Sequence, residues 1–333
     1  MKGIILHGGH GTRLRPLTHT GPKQLLPIAN KPMSQFCLES IVKTGITDIA
    51  IIIGGVGANK VREYYGDGKK FGANITYIEQ DEPRGIAHAI KLCKEFINNE
   101  KFLVFLGDNI IQKSIKGFVE NFKYSNYDAT VLLCEVNNPS RFGIADIDNN
   151  KILKITEKPK NPTSNLAVTG IYFLTPLIFE IIDNLEPSWR NELEITDALD
   201  NLLKRNNNIS FETITDYWKD TGTPEDIINA NAQILKHMCK EHGSIIDSSS
   251  DIELDSHILE PSIIGKNCKI GKGTRIGPNA SIGDNTIITS DVIIENSIIM
   301  SNCKIDGKLN IKDSIISTNC NLHGNDNDKT KKI

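Results

Sequence analysis

The chain has 333 residues, 24% of them charged, and a formal net charge of -3, so it is long enough for two domains and carries no basic field suited to nucleic acid or an acidic membrane surface. Its seven cysteines are scattered singly with no CxxC pair, which excludes a zinc ribbon or disulfide framework and reads as reduced, buried thiols. No apolar run approaches the roughly 18 residues of a membrane span, and the apolar start at Met1–Leu6 is too short for a secretion signal, so the sequence predicts a soluble cytoplasmic protein.

Short β-branched or aromatic runs at Gly3–Leu6, Ile49–Ile53, Ile75–Ile78 and Phe102–Leu106 read as buried parallel strands. Between them, Pro32–Thr44 carries Met33, Phe36, Cys37, Ile41 and Val42 on one helical face and ends before Gly45, while Ile86–Phe96 repeats the pattern. This β-α-β rhythm predicts a Rossmann-like open sheet with helices on both faces. From Ala129 to Thr175 strands and turns take over, which predicts a mixed-sheet insertion. A last helix is announced by Thr223-Pro224-Glu225-Asp226, a capping threonine followed by proline and two acids, and is expected to run to about Lys240.

The remainder is a repeat. Ile252, Ile258, Ile264, Ile270, Ile276, Ile282, Ile288 and Ile294 fall every six residues, and glycine follows four of them at Gly265, Gly271, Gly277 and Gly283. Neither the period of two of a strand nor the 3.6 of a helix explains a strict six. A hexapeptide period predicts a C-terminal left-handed parallel β-helix of about four coils, with the isoleucines stacked inside. The expected division is a catalytic domain over 1–243, a β-helix over 244–324 and a frayed polar tail over 325–333.

Chemistry is concentrated in the stretch after the first strand, Leu6-His7-Gly8-Gly9-His10-Gly11-Thr12-Arg13-Leu14. It stands at the carboxyl end of a parallel strand, where α/β sheets bind ligands. Glycines allow backbone N–H groups to approach phosphate oxygens closely. Arg13, Arg15 and Lys23 add the positive charge that a leaving pyrophosphate requires. The GxxxxGK[ST] loop is absent, and the third glycine of a dinucleotide fingerprint is missing.

Taken with Pro22-Lys23-Gln24-Leu25-Leu26-Pro27, Gln80 with Gly85-Ile86-Ala87-His88, Leu106-Gly107-Asp108-Asn109, Glu157-Lys158-Pro159, Glu192-Leu193-Glu194-Ile195-Thr196-Asp197 and Trp218-Lys219-Asp220-Thr221-Gly222, the chain resembles the sugar-1-phosphate nucleotidylyltransferases, nearest their long-form glucose-1-phosphate thymidylyltransferase branch. The resemblance covers nearly the whole chain. It implies transfer from dTTP to glucose-1-phosphate, with dTDP-glucose and pyrophosphate as products. It gives Arg13, Lys23 and Lys158 to the reacting phosphates, and Leu6, Gly8, Gly9, Gly11 and Thr12 to the nucleotide. Gln80 and Gly85 would read the base; Gly143, Glu157, Val168, Thr169, Gly170 and Tyr172 would form the sugar pocket. Asp108 and Asp220 would hold Mg²⁺, a hard cation that shares its shell with substrate phosphates.

Position 7 departs from that pattern, because alanine is usual where this chain has His7; an imidazole there is expected to stack on the ribose or narrow the base pocket. UTP is the rival donor, since uracil lacks only a methyl group worth about 1–3 kcal/mol. The other rivals are acyl transfer by the β-helix, for which His257 and His323 are poorly placed bases, and a non-catalytic subunit, which would lack the cations and carboxylates retained here. The β-helix is instead expected to serve packing or homo-oligomer contact.

Overall fold

The computed structural model describes residues 1–9, 11–205 and 207–324; the expected frayed tail and His10 of the glycine loop lie outside them. The chain forms two compact units, the first from Met1–Thr12, Thr18–Leu25 and Ser34–Asp220, the second from Arg13–Leu17, Leu26–Met33 and Thr221 onward. In chain order, β1 (Lys2–Leu6) is followed by the short strands β2 (Pro27–Ile28) and β3 (Lys31–Pro32), then α1 (Met33–Val42), β4 (Asp48–Ile53), α2 (Ala58–Tyr65), β5 (Asn74–Glu79), α3 (Ile86–Lys91) and α4 (Lys94–Ile97). Next come β6 (Phe102–Leu106), β7 (Asn109–Ile111), α5 (Lys116–Tyr124), β8 (Ala129–Glu135), β9 (Gly143–Asp148), β10 (Lys151–Glu157) and β11 (Leu166–Leu174). The series closes with α6 (Leu177–Asp183), α7 (Ile195–Lys204), β12 (Ile209–Thr213), β13 (Trp218–Asp220) and α8 (Pro224–Met238).

The first unit is a mixed Rossmann-like sheet in the order β10-β9-β11-β6-β1-β4-β5, with β8 joining β11 to β12. Strands β6, β1, β4 and β5 run parallel, whereas β11 is antiparallel to β6. The parallel strands are apolar on both faces because each face is covered: Ile4, Leu6, Ile52, Phe102 and Val104 enter one core, Ile5, Ile51, Ile53, Leu103 and Phe105 the other. The expected insertion over 129–175 is β8–β11. The helix expected over Ile86–Phe96 is two helices, because Cys93 N donates to Ile90 O, a tighter i→i+3 bond that closes α3 before α4 begins.

In the second unit, β2 and β3 form a hairpin through Ala29 and Asn30, at φ 47° and 60°. Helix α8 begins as its sequence announces, with the Thr223 hydroxyl accepting from Asp226 N at 3.2 Å. Asn231 of α8, buried, accepts from Ala29 N at 2.8 Å and from Ser281 Oγ at 2.7 Å. The repeat forms a parallel β-helix whose three sheets hold five, five and four strands. Ile264, Ile270, Ile276, Ile282, Ile288 and Ile294 are all at most 1% exposed inside it. Early rungs pair residues 18 apart, as Ile245 with Ile263 and Arg275 with Ile293. Later rungs pair residues 17 apart, as Ile287 with Lys304 and Ile298 with Ile315, which is why the period of six loosens after Ile294.

Candidate active site

The glycine loop leaves β1 at the sheet's carboxyl edge. His7 N still donates to Ile52 O at 3.0 Å, so β1 keeps its register until the chain turns away at Gly8. Gly9 has φ +92°, a conformation that side chains disfavour, and at Gly11 (φ +57°) a Cβ would fall 3.0 Å from the Thr18 methyl. Two bonds fix the loop: Thr18 Oγ1 donates to Gly11 O at 2.8 Å, and Gln24 Nε2 donates to Gly8 O at 2.9 Å. A cavity of about 270 Å³ opens beside it. Leu6, Gly8, Gly9, Lys23, Gln80, Gly85 and Asp108 from the sequence-derived set line it, together with Gln24, Arg190 and Glu192.

Gly85 marks one wall. At φ +103°, with a Cβ that would lie 2.4 Å from Leu193 O, no other residue fits there. Leu193 N donates to Arg84 O and Ala87 N donates to Leu193 O, so the segment 192–194 is stitched to the turn before α3. Gln80 continues β5 by donating its N–H to Ile53 O. Its side chain, 7% exposed, lies with Nε2 3.0 Å from His88 Nδ1.

At the other end of the cavity Lys23 Nζ is hydrogen-bonded to Asp108 Oδ2, and Asn109 Nδ2 donates to Asp108 Oδ1 at 3.0 Å. Burial pushes the Asp108 carboxyl up, but the Lys23 charge and these hydrogen bonds outweigh it and hold the group below the usual carboxylate range. Asp220 arrives from a segment over a hundred positions away. β13 pairs antiparallel with β7, and Asp220 stands opposite Asn109, the neighbour of Asp108. A carboxylate beside an ammonium, with a second carboxylate opposite its chain neighbour, suits a cation that takes its remaining oxygens from phosphates.

A second cluster surrounds Glu157 at the end of β10. Thr196 Oγ1 donates to Glu157 Oε2 at 3.1 Å, and Lys158 Nζ and Arg190 Nη1 lie 3.3 and 3.5 Å from Glu157 Oε1. Gly143 pairs with Glu157 and is packed so closely that a Cβ would meet Thr196 Cγ2 at 2.5 Å. On β11, Val168, Thr169, Gly170 and Tyr172 are buried, and a Cβ on Gly170 would meet Asn109 Nδ2 at 2.7 Å. Thr169 Oγ1 has no hydrogen-bond partner among the described residues. Burial, then the charges of Glu157, Asp108 and Glu194, push the Tyr172 phenol up. The sugar-side residues named from the sequence therefore share one neighbourhood.

Sequence reasoning missed Arg190, which lines the cavity and bridges Glu157, Glu192 (3.1 Å) and Glu194 (3.0 Å). Burial and the Glu157 charge push Glu194 up in spite of that arginine. The signal available was Arg190 immediately before Glu192-Leu193-Glu194, but a lone arginine in a loop is ordinarily solvated. Arg13 and Thr12 do not line the cavity; Arg13 lies in the second unit against Gly222, where a Cβ would fall 2.9 Å from Arg13 Nη2.

The expectation for His7 is corrected. Its ring lies on the Ile5 side of β1, edge-on to Tyr65 with centroids 6.0 Å apart, and it does not line the cavity. Alternation along the strand sends Leu6 to the cavity and His7 to the opposite core. Buried and without a hydrogen-bond partner for either ring nitrogen among the described residues, the imidazole is lowered to about 3 by desolvation, partly opposed by Asp108, and is neutral.

The nucleotidyl transferase family matches residues 2–237, and the chain belongs to it. The GMPPB C-terminal domain matches residues 258–327. The low-salt glycan biosynthesis nucleotidyltransferase Agl11 of Haloferax volcanii is 44% identical over 252 residues, 75% of this chain and 71% of that protein. The glucose-1-phosphate thymidylyltransferase of Streptomyces antibioticus is 41% identical over 278 residues, 80% of this chain and 78% of that protein. A crystal structure from Bacillus anthracis, described as a "putative glucose-1-phosphate thymidylyltransferase" in complex with a sucrose, superposes with a TM-score of 0.67 at 44% identity, over 70% of this chain and 94% of that one. Within the family this protein is a sugar-1-phosphate nucleotidylyltransferase, close to the thymidylyltransferases.

Proposed function

We propose that the protein transfers a thymidylyl group from dTTP to glucose-1-phosphate, releasing pyrophosphate and dTDP-glucose, with Mg²⁺ as the metal and UTP as the competing donor. The observation that carries this reading is the Lys23–Asp108 pair at a glycine-lined cavity, with Asp220 opposite Asn109 in the neighbouring β7–β13 ladder. The thymidylyltransferase relatives support the choice of substrates.

In this reading an oxygen of the sugar phosphate forms a bond to the α-phosphorus as the bond to pyrophosphate breaks. The nucleophile is already an anion at neutral pH, so no general base is needed and positioning with charge neutralisation supplies the catalysis. The backbone of Leu6, Gly8, Gly9, Gly11 and Thr12 cradles the nucleotide. Arg13 and Lys23 take the leaving phosphates, and Lys158 takes the sugar phosphate. Arg190, added from the structure, offsets the carboxylates around the sugar. Glu157 accepts from sugar hydroxyls, with Gly143, Val168, Thr169, Gly170 and Tyr172 shaping that pocket, while Gln80 and Gly85 hold the base. Asp108 and Asp220 would hold Mg²⁺, which neutralises phosphate charge when bound.

Residues 1–243 form the catalytic domain in this scheme and 244–324 a β-helix available for homo-oligomer contact. Seven free cysteines among the described residues, and no helix there long and apolar enough to cross a membrane, support a cytoplasmic setting. The test is pyrophosphate release from dTTP, UTP, CTP and GTP against glucose-1-phosphate and other hexose-1-phosphates, with Mg²⁺ or with EDTA. Metal-dependent turnover greatest with dTTP and glucose-1-phosphate is expected; release that ignores the sugar phosphate would sink the reading.

A further inference from the structure

The base-reading edge of Gln80 is ambiguous in sequence. A glutamine amide offers an acceptor on one side and two donors on the other, and rotation by half a turn exchanges them. Uracil and thymine present an N3–H donor flanked by carbonyl oxygens, whereas cytosine presents an N3 acceptor. A free amide serves either base. A fixed amide serves one.

In this fold the amide is fixed. Gln80 is 7% exposed, at the end of β5, and its Nε2 lies 3.0 Å from Nδ1 of His88, one turn into α3. The Oε1 atom is left on the cavity side, 3.6 Å from where a Cβ on Gly8 would stand, and both Gln80 and Gly8 line the cavity. An amide nitrogen has no lone pair to offer, so in this geometry Gln80 N–H donates and His88 Nδ1 accepts; the ring proton is then on Nε2. Burial, followed by the charge of Arg84, lowers His88 from its ordinary value against the opposing pull of Asp81, which keeps the ring neutral and able to accept.

We propose that His88 is a specificity-determining positioning residue: by accepting from Gln80 Nε2 it turns Gln80 Oε1 into the cavity and selects a keto pyrimidine, whose N3–H donates, over cytosine, whose N3 accepts. The inference rests on the reading that this cavity takes the base of the donor nucleotide. With His88 accepting, Gln80 Oε1 receives N3–H while its second N–H remains for a base carbonyl. A cytosine in the same place would oppose two acceptors and leave them buried and unpaired, the kind of mismatch that polar sites reject most strongly. The selection ignores the 5-methyl group and leaves the choice between dTTP and UTP to other contacts.

The test compares kcat/KM for dTTP, UTP and CTP, with glucose-1-phosphate, in the wild type and in two variants whose folding is checked by thermal melting. His88→Leu frees the amide, and the preference for dTTP over CTP is expected to fall about tenfold or more while the dTTP to UTP ratio holds. His88→Lys offers only donors at that half-exposed position, so it draws Oε1 away from the cavity and is expected to favour CTP further than His88→Leu does. If activity with all three nucleotides drops in step in both folded variants, His88 only packs and the proposal is overturned. A wild type that uses none of the three pyrimidine nucleotides would instead refute the assignment of the cavity itself.

Discussion

In the β-helix a residue's environment is copied from the rung before it. Ile252, Ile270, Ile288 and Ile305 pair in one column, each meeting the same neighbours one coil away. In the first unit no environment is repeated: Asp108 sits in the turn between β6 and β7, Asp220 stands opposite its neighbour Asn109 in the β7–β13 ladder, and Glu157 arrives on the antiparallel edge. The charge balance differs as well. Buried positions of the β-helix hold isoleucine, valine, cysteine, alanine and uncharged serine and threonine, while the first unit sets Asp108 against Lys23 and gathers Glu157, Glu192 and Glu194 around Arg190. Repetition stacks alike side chains in the β-helix; the singular positions of the first unit gather the charged ones.

Four substitutions test that contrast. The largest effect is expected from Asp108→Asn, which keeps shape and removes charge: transfer should fall by about 10³-fold or more in a chain that still folds, with a lowered melting temperature because Lys23 loses its carboxylate partner. Near-normal turnover would remove Asp108 from the metal assignment.

Ile288→Ala should cost about 2–5 kcal/mol in denaturant unfolding, as for a large-to-small change in a packed core, with kcat unaltered at temperatures where the variant is folded. Lost activity in the folded variant would mean that the β-helix shares in the chemistry.

The third concerns His7, whose folded value of about 3 lies below the ordinary 6.5 because it is buried. Below pH 6.5 the unfolded chain takes up a proton that the folded chain refuses, so stability is lost as pH falls from 6.5 toward 3, by about 1.4 kcal/mol per pH unit at most. His7→Leu should flatten that acid limb in urea titrations and leave nucleotide preference untouched. A changed dTTP to UTP ratio would return His7 to the base pocket.

The smallest effect is Glu157→Gln, expected to raise KM for the sugar phosphate about tenfold with little change for the nucleotide. Equal effects on both substrates would disperse the Glu157 cluster as a distinct sugar side.

The residue string was informative where the physics is local. A strand's apolar run, the Thr223 cap of α8 and a left-handed glycine each depend on a few adjacent residues, so β1, β4, β6 and α8 were legible within a residue or two. The six-residue period was legible because each face of a coil repeats the last. Helix α3 was overextended because the i→i+3 bond at Cys93 leaves no mark in the apolar pattern. The glycine loop, Lys23 and Asp108 were legible because each stands in a short motif of adjacent residues.

Direction and pairing are set in three dimensions. One step along β1 separates Leu6, which faces the cavity, from His7, which faces Tyr65, and the sequence carries no label for which core lies on which side. Gly85 needs its missing side chain because of Leu193, more than a hundred positions later. The orientation of Gln80 depends on a helix residue eight places on. The glycine-rich loop, the acidic and basic side chains available and the stacked isoleucines can be read along the chain. The tertiary structure decided which carboxylate meets which ammonium and which way an amide points, because hydrogen bonds and charges act over a few ångströms in space regardless of their separation along the chain.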